Sequence, residues 1–174
     1  MANKKYKVLI SEEKIKERVS ELGKTISNDY EGKNLLLVSI LKGSFIFMSD
    51  LARSISLNVK IDFLSVSSYS GSESTGIVRI LNDLSLPIVD YDILLVEDIL
   101  DSGRTLKYIT NLLKERHPKS IEICTLLDKP SRRVVDVDVK YTGFTIPDEF
   151  VVGFGLDYNE DYRNLRDIVV LTEF

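Results

Sequence analysis

Residues 93–106 read ILLVEDILDSGRTL, and place Glu97, Asp98 and Asp101 within five positions, after an apolar run and before a Ser-Gly-Arg-Thr turn. An ordinary strand-to-helix turn explains part of this. Asp101 or Ser102 would serve as the helix N-cap, and acids near a helix start gain roughly 0.3–1 kcal/mol each from the dipole. Glu97 and Asp98 are not explained that way, because they continue the strand. Two carboxylates about 4 Å apart repel by roughly 1 kcal/mol in water and about 4 kcal/mol at an effective dielectric near 20. The dipole is too weak to offset the larger figure, so these acids call for a cation or a set of ligand hydroxyls.

The residues that follow supply the opposite chemistry. Ser102, Gly103, Arg104 and Thr105 offer backbone N–H groups, two hydroxyls and a guanidinium at a helix start, a cradle suited to phosphate. Acids for a sugar or a magnesium ion, then donors for a phosphate, describe a sugar-phosphate site.

Competing chemistries find less support. There is no G-x-x-x-x-G-K-[ST] sequence for a nucleotide hydrolase. The GFGLDY stretch has Tyr158 where a dinucleotide fingerprint needs its third glycine. In DVDVKYTG, Lys140 and Tyr141 occupy positions that a calcium loop gives to a ligand and a glycine, so Asp136 and Asp138 read as an exposed strand face. The one cysteine, Cys124, lies in an apolar run and reads as a small buried hydrophobe. The one histidine, His117, precedes Pro118 at an expected helix end, which leaves no Cys-His or Ser-His-Asp arrangement and no His-rich zinc site.

The elements that must hold the site follow from periodicity. Tyr6 to Ile10 suit a short strand, and Ser11 caps a helix whose apolar face is Ile15, Val19, Leu22, Ile26 and Tyr30, ended at Gly32. Residues 34–40 form a continuous apolar strand of the kind buried in a parallel sheet. LKGS leads to a helix carrying Met48, Leu51, Ala52 and Ile55. Residues 59–66 alternate like a half-exposed strand, residues 67–76 form a polar loop, and IVRIL resumes a strand. After the acidic stretch come a helix with Leu106, Ile109, Leu112 and Leu113, the strand IEICTLL, and short strands joined by loops. Apolar strands alternating with amphipathic helices predict an α/β fold with a mainly parallel, doubly wound sheet flanked by helices, in one domain spanning 1–174. Ligands would bind at the carboxyl ends of its strands.

Composition narrows the class. Hydrophobic residues are 44% and charged residues 29%, which argues against disorder, while the net charge of -4 argues against a general basic surface for nucleic acid. The apolar start is too short for a signal peptide, and no window approaches 18 consecutive apolar residues. A soluble, cytoplasmic protein without a membrane partner is expected.

VEDILDSGRT resembles the phosphoribosyl-pyrophosphate (PRPP) signature of type I phosphoribosyltransferases. LKGS, SSY, LLDK and PDEFVVGFGLDYNEDYRNL, in that order, narrow the resemblance to the hypoxanthine-guanine phosphoribosyltransferases. The resemblance implies a small hood built by terminal segments and a flexible active-site loop. It gives Glu97 and Asp98 the ribose hydroxyls and a PRPP-bound Mg2+, and Asp101 the role of general base near purine N7. Ser102, Gly103, Arg104 and Thr105 would hold the 5′-phosphate, although position 104 varies in the family. Lys42, Gly43 and Arg163 would contact pyrophosphate, and a cis bond before Lys42 is common there. Lys129 would donate to the purine 6-oxo group, Phe150 would stack on the ring and the Val151 backbone would bond its edge. Asp157 would bind a second Mg2+ beside the purine. Ser68 and Tyr69 would close over the reacting centre, where water would hydrolyse an activated ribosyl cation.

The implied activity is magnesium-dependent conversion of hypoxanthine, and guanine, with PRPP to the 5′-mononucleotide and pyrophosphate, in purine salvage. The small-molecule partners are a 6-oxopurine and PRPP, and the family forms homodimers or homotetramers. The alternatives are a xanthine-preferring enzyme of the same fold and a PRPP-binding regulator that binds RNA; the acidic pI near 5.1 counts against the latter.

Overall fold

The computed structural model of the chain describes residues 6–68 and 78–172. Tyr69 and most of the expected 67–76 loop lie outside them. The described elements are β1 (Tyr6–Ile10), α1 (Glu12–Asp29), β2 (Leu35–Leu41), α2 (Phe45–Ser54), β3 (Lys60–Ser68), β4 (Val78–Asn82), β5 (Asp92–Leu100), α3 (Arg104–Lys114), β6 (Ser120–Asp128), a 3₁₀ turn at Pro130–Arg132, β7 (Tyr141–Thr145), β8 (Val151–Val152) and β9 (Ile168–Leu171).

Strands β2 and β5 are apolar at consecutive positions because both of their faces are covered. Leu35, Leu37, Leu94 and Val96 join one core with α1 and α2, through Ile15, Val19, Leu22, Ile26, Phe47, Met48 and Leu51. Leu36, Val38, Ile93 and Leu95 point the other way and pack against Leu106, Ile109 and Leu113 of α3. Fully burying such a side chain contributes about 1.5–3 kcal/mol, so this sandwich is the main stabilising feature. At the start of α1 the Ser11 side chain accepts the Lys14 N–H, as expected of its cap.

The main sheet runs β4-β3-β2-β5-β6-β7, with β4 alone antiparallel to its neighbour. Strand order reverses between β2 and β5, so a crevice opens at their carboxyl ends, next to the two loops that carry LKGS and EDILDSGRT. Both ends of the chain build a second, antiparallel sheet, β1-β9-β8, in the place of the expected hood.

Two local expectations are corrected. Gly103, at φ 83°, occupies the N-cap position of α3, so neither Asp101 nor Ser102 does. The turn needs a left-handed residue there, and a Cβ at Gly103 would stand 2.6 Å from the Val135 carbonyl. Asp136 and Asp138 are exposed but belong to no strand. In β3 the alternation holds, with Asp62 facing inward beside Leu64 and Val66. Asp62 is buried and accepts from the N–H groups of Phe63, Ser85 and Leu86, while Ile61 and Phe63 are 44% and 39% exposed.

Candidate active site

Because β5 continues through Leu100, Glu97 and Asp98 sit on strand backbone and alternate in direction. Asp98 lines a cavity of about 550 Å3 together with Asp101, Lys129, Arg132, Asp148, Phe150, Val151 and Asp157. Glu97 instead lines a smaller pocket of about 90 Å3, with Asp101, Ser102, Gly103 and Thr105. The two spaces share Ile99 and Asp101, which makes Asp101 the hinge between them. Arg104 is exposed and lines neither.

The acids are held without full compensation. Burial, reinforced by the Asp98 charge, pushes the Glu97 carboxyl well above its usual range, and its Oε2 has no hydrogen-bond partner. Burial also pushes Asp98 up to about 6, against the Ile99 N–H bond at 2.7 Å and the charge of Arg163. Asp101 Oδ1 is buried without a hydrogen bond, with Arg132 Nε 3.6 Å away. Unsatisfied carboxylate oxygens facing cavities are costly unless a ligand completes them. Among the described residues no three His, Cys, Asp or Glu converge on one metal position. Magnesium does not require such a cage, since it is commonly held by one or two carboxylates plus substrate phosphates.

Two further loops press against Asp98. The Leu41-Lys42 peptide is cis, and a Cβ at Gly43 would lie 1.7 Å from Asp98 Oδ2. Gly155, at φ 104°, backs onto Gly43, since a Cβ there would fall 2.0 Å from its carbonyl oxygen. The LKGS loop, the acidic strand end and the GFGLDY turn thus meet at near contact distance, which only these glycines permit.

Beyond Asp98, Arg163 is pinned from two sides: it donates to the Gly155 carbonyl at 2.8 Å and pairs with Asp157 at 2.9 Å. Glu160 bridges Arg163, at 3.3 Å, and Lys42, at 3.0 Å. Lys42 and Arg163 line a separate, more open cleft with Phe45 and Phe63. Non-glycine residues at positive φ cluster here, at Phe154, Asn159, Glu160 and Tyr162, the kind of local strain that functional sites retain.

The opposite wall carries Lys129, 7% exposed, whose ammonium donates to the Glu149 carbonyl at 2.8 Å and lies 3.8 Å from Asp148. Phe150 stands at the mouth and meets Tyr158 edge to face, with centroids 5.7 Å apart. Val151 begins β8 behind it.

A model of the phosphoribosyl transferase domain family matches residues 7–159. The chain is 55% identical over 172 residues to the hypoxanthine-guanine phosphoribosyltransferase of Staphylococcus aureus strain Mu50, covering 98% of this chain and 96% of the relative. The chain belongs to the phosphoribosyltransferase family. It also aligns at 48% identity with part of the bifunctional protein TilS/HprT of Listeria monocytogenes, covering 98% of this chain and 26% of that protein. Among solved structures, a hypoxanthine phosphoribosyltransferase from Staphylococcus aureus superposes with a TM-score of 0.93 at 52% identity, over 98% of this chain and 96% of that one. The Trypanosoma cruzi hypoxanthine phosphoribosyltransferase, solved with the product IMP, gives 0.89 at 42% identity, over 94% and 92%.

The structure gathers Asp98, Asp101, Lys129, Phe150, Val151 and Asp157 around one cavity of this family member, and Glu97, Ser102, Gly103 and Thr105 around its neighbour. Ser68 ends β3, and Tyr69 lies outside the described residues. Sequence reasoning missed Arg132, Asp148 and Glu160, which line the two larger spaces, and Arg133, which donates to the Asp101 carbonyl. The consecutive arginines after Lys129-Pro130 were the available signal.

Proposed function

We propose that this enzyme transfers the phosphoribosyl group of PRPP to a 6-oxopurine, hypoxanthine or guanine, and releases pyrophosphate in purine salvage. The observation that carries the reading is a cavity of about 550 Å3 that meets a smaller pocket, lined by Ser102, Gly103 and Thr105, at one shared carboxylate, Asp101. Purine N9 bonds to the anomeric carbon as the bond to pyrophosphate breaks. The imidazole proton passes to Asp101, whose charge also favours the oxocarbenium-like transition state. Ser102, Gly103, Arg104 and Thr105 hold the 5′-phosphate, and Lys42, Gly43 and Arg163 receive the leaving pyrophosphate. Phe150 covers the purine face and the Val151 backbone bonds its edge. Lys129 has donors only, so it suits a 6-oxo acceptor and disfavours the 6-amino group of adenine.

Magnesium fits the donor set. Glu97 and Asp98, and Asp157 at the second position, supply hard oxygen ligands, and the orphaned Glu97 Oε2 is a group that calls for such a partner. Held there with PRPP, magnesium would supply positive charge to offset that of the departing pyrophosphate.

One domain, residues 1–174, suffices for this chemistry. A homodimer or homotetramer is supported by the exposed Phe45, Ile61 and Phe63, two of which line the cleft beside Arg163. A cytoplasmic location accords with the lone cysteine, Cys124, a free buried thiol. No described helix is long and apolar enough to cross a membrane.

Purified protein with magnesium and PRPP should convert hypoxanthine to inosine monophosphate. Failure to turn over any 6-oxopurine, together with tight RNA binding, overturns the reading.

A further inference from the structure

Three successive carbonyls at the end of β5 all accept from one downstream segment. Leu100 O accepts the Lys129 N–H at 3.0 Å and Arg133 Nη2 at 3.5 Å. Asp101 O accepts Arg133 Nε at 3.0 Å, and Ser102 O accepts the N–H groups of Val134 and Val135, both at 3.0 Å. The 3₁₀ turn at Pro130–Arg132 reverses the chain so that this strap, beginning at Lys129, folds back along residues 100–102. Arg133 is its one side-chain donor to these carbonyls among the described residues. The guanidinium is also ion-paired with Asp128 at the end of β6 and is only 21% exposed.

We infer that Arg133 is a positioning residue: its guanidinium fixes the Leu100 and Asp101 peptides, and thereby aims the Asp101 carboxylate and the N–H groups of the phosphate turn. This rests on the functional reading above. The mechanism is peptide geometry. In a trans peptide the carbonyl of one residue points opposite to the N–H of the next. Holding the Asp101 and Ser102 carbonyls against the strap therefore turns the Ser102 and Gly103 N–H groups away from it, and these two residues line the smaller pocket. A guanidinium suits the task because its planar fork reaches two carbonyls and a carboxylate at fixed angles, which a flexible ammonium does not reproduce. The same strap begins with Lys129, so the purine wall and the phosphate turn are bolted into one unit.

The test compares wild type, Arg133→Ala and Arg133→Lys as full-length proteins, with magnesium, PRPP and hypoxanthine. Losing hydrogen bonds from a charged donor costs about 1.5–3 kcal/mol, so Arg133→Ala should lower kcat/KM for PRPP by roughly 10- to 100-fold. Millimolar guanidinium should restore part of that loss and leave wild type unchanged. Arg133→Lys keeps a positive charge beside Asp128, yet should remain at least fivefold impaired. Amide hydrogen exchange should rise at residues 101–105 in both variants, while α1 keeps its protection. An alanine variant within threefold of wild type overturns the inference. So does full recovery with lysine, or a loss untouched by guanidinium with unchanged exchange at 101–105. If wild type itself fails to use hypoxanthine, the functional reading falls, and the exchange data still decide whether Arg133 orders the turn.

Discussion

Gly43→Ala places the heaviest demand on the smallest change. The added methyl would begin 1.7 Å from Asp98 Oδ2 and 2.7 Å from its Cγ, whereas ordinary contact starts at 3.4 Å. Neither partner yields easily. Asp98 Oδ1 is held by the Ile99 N–H at 2.7 Å, and behind Gly43 its carbonyl already abuts Gly155. The carboxylate must therefore move by more than 1 Å from the position where it would meet the ribose and magnesium. Misplacement on that scale costs about 100-fold in rate, equivalent to roughly 2.7 kcal/mol. Overpacking should cost about 1–3 kcal/mol of stability, and each kcal/mol lowers Tm by roughly 2–4 °C in a chain of this size, so the variant stays folded at room temperature. Steady-state kinetics with PRPP varied, beside a thermal melt, separates the two effects. A variant that keeps more than a third of wild-type kcat/KM refutes the claim that Gly43 sets the Asp98 position.

Asp101→Asn should lower kcat by about 100-fold or more while PRPP affinity, read by equilibrium binding, stays within threefold. Lys129→Ala should reverse the pattern, weakening use of the purine at nearly unchanged PRPP affinity; equal PRPP losses in both variants would contradict the assigned roles. The unliganded protein should respond to pH through Asp98, whose carboxyl rises from 3.8 to about 6 on folding. Between those values the folded state holds a proton that the unfolded state lacks. This contribution to stability therefore grows as pH falls through 6 and levels off below 3.8, reaching roughly 3 kcal/mol. Denaturant titrations of wild type and Asp98→Asn across pH 4–7 should differ by that slope, and parallel curves would exclude it.

The parts of the site that were legible in the sequence are those whose reasons are local. The β5 strand and its acids announce themselves because apolar residues needed on both sheet faces stop at groups that water or ligand must satisfy. The parts that were not legible depend on partners distant in sequence. Gly103 displaced Asp101 and Ser102 as the cap because Val135, 32 positions away, leaves no room for a Cβ. Arg133 is not singled out by the sequence, since its acceptors include backbone carbonyls about 30 residues upstream. In β3 the inward Asp62 was hidden for the same reason: the N–H groups of Ser85 and Leu86 that satisfy it arrive from another loop. The outward Ile61 and Phe63 then follow from the period of two.

The discrimination between hypoxanthine and adenine tests the central claim most directly. With PRPP saturating and magnesium present, kcat/KM for hypoxanthine should exceed that for adenine by at least 100-fold, because an ammonium at the Lys129 position offers adenine's 6-amino group no acceptor. A ratio near one would contradict a purine site built around Lys129.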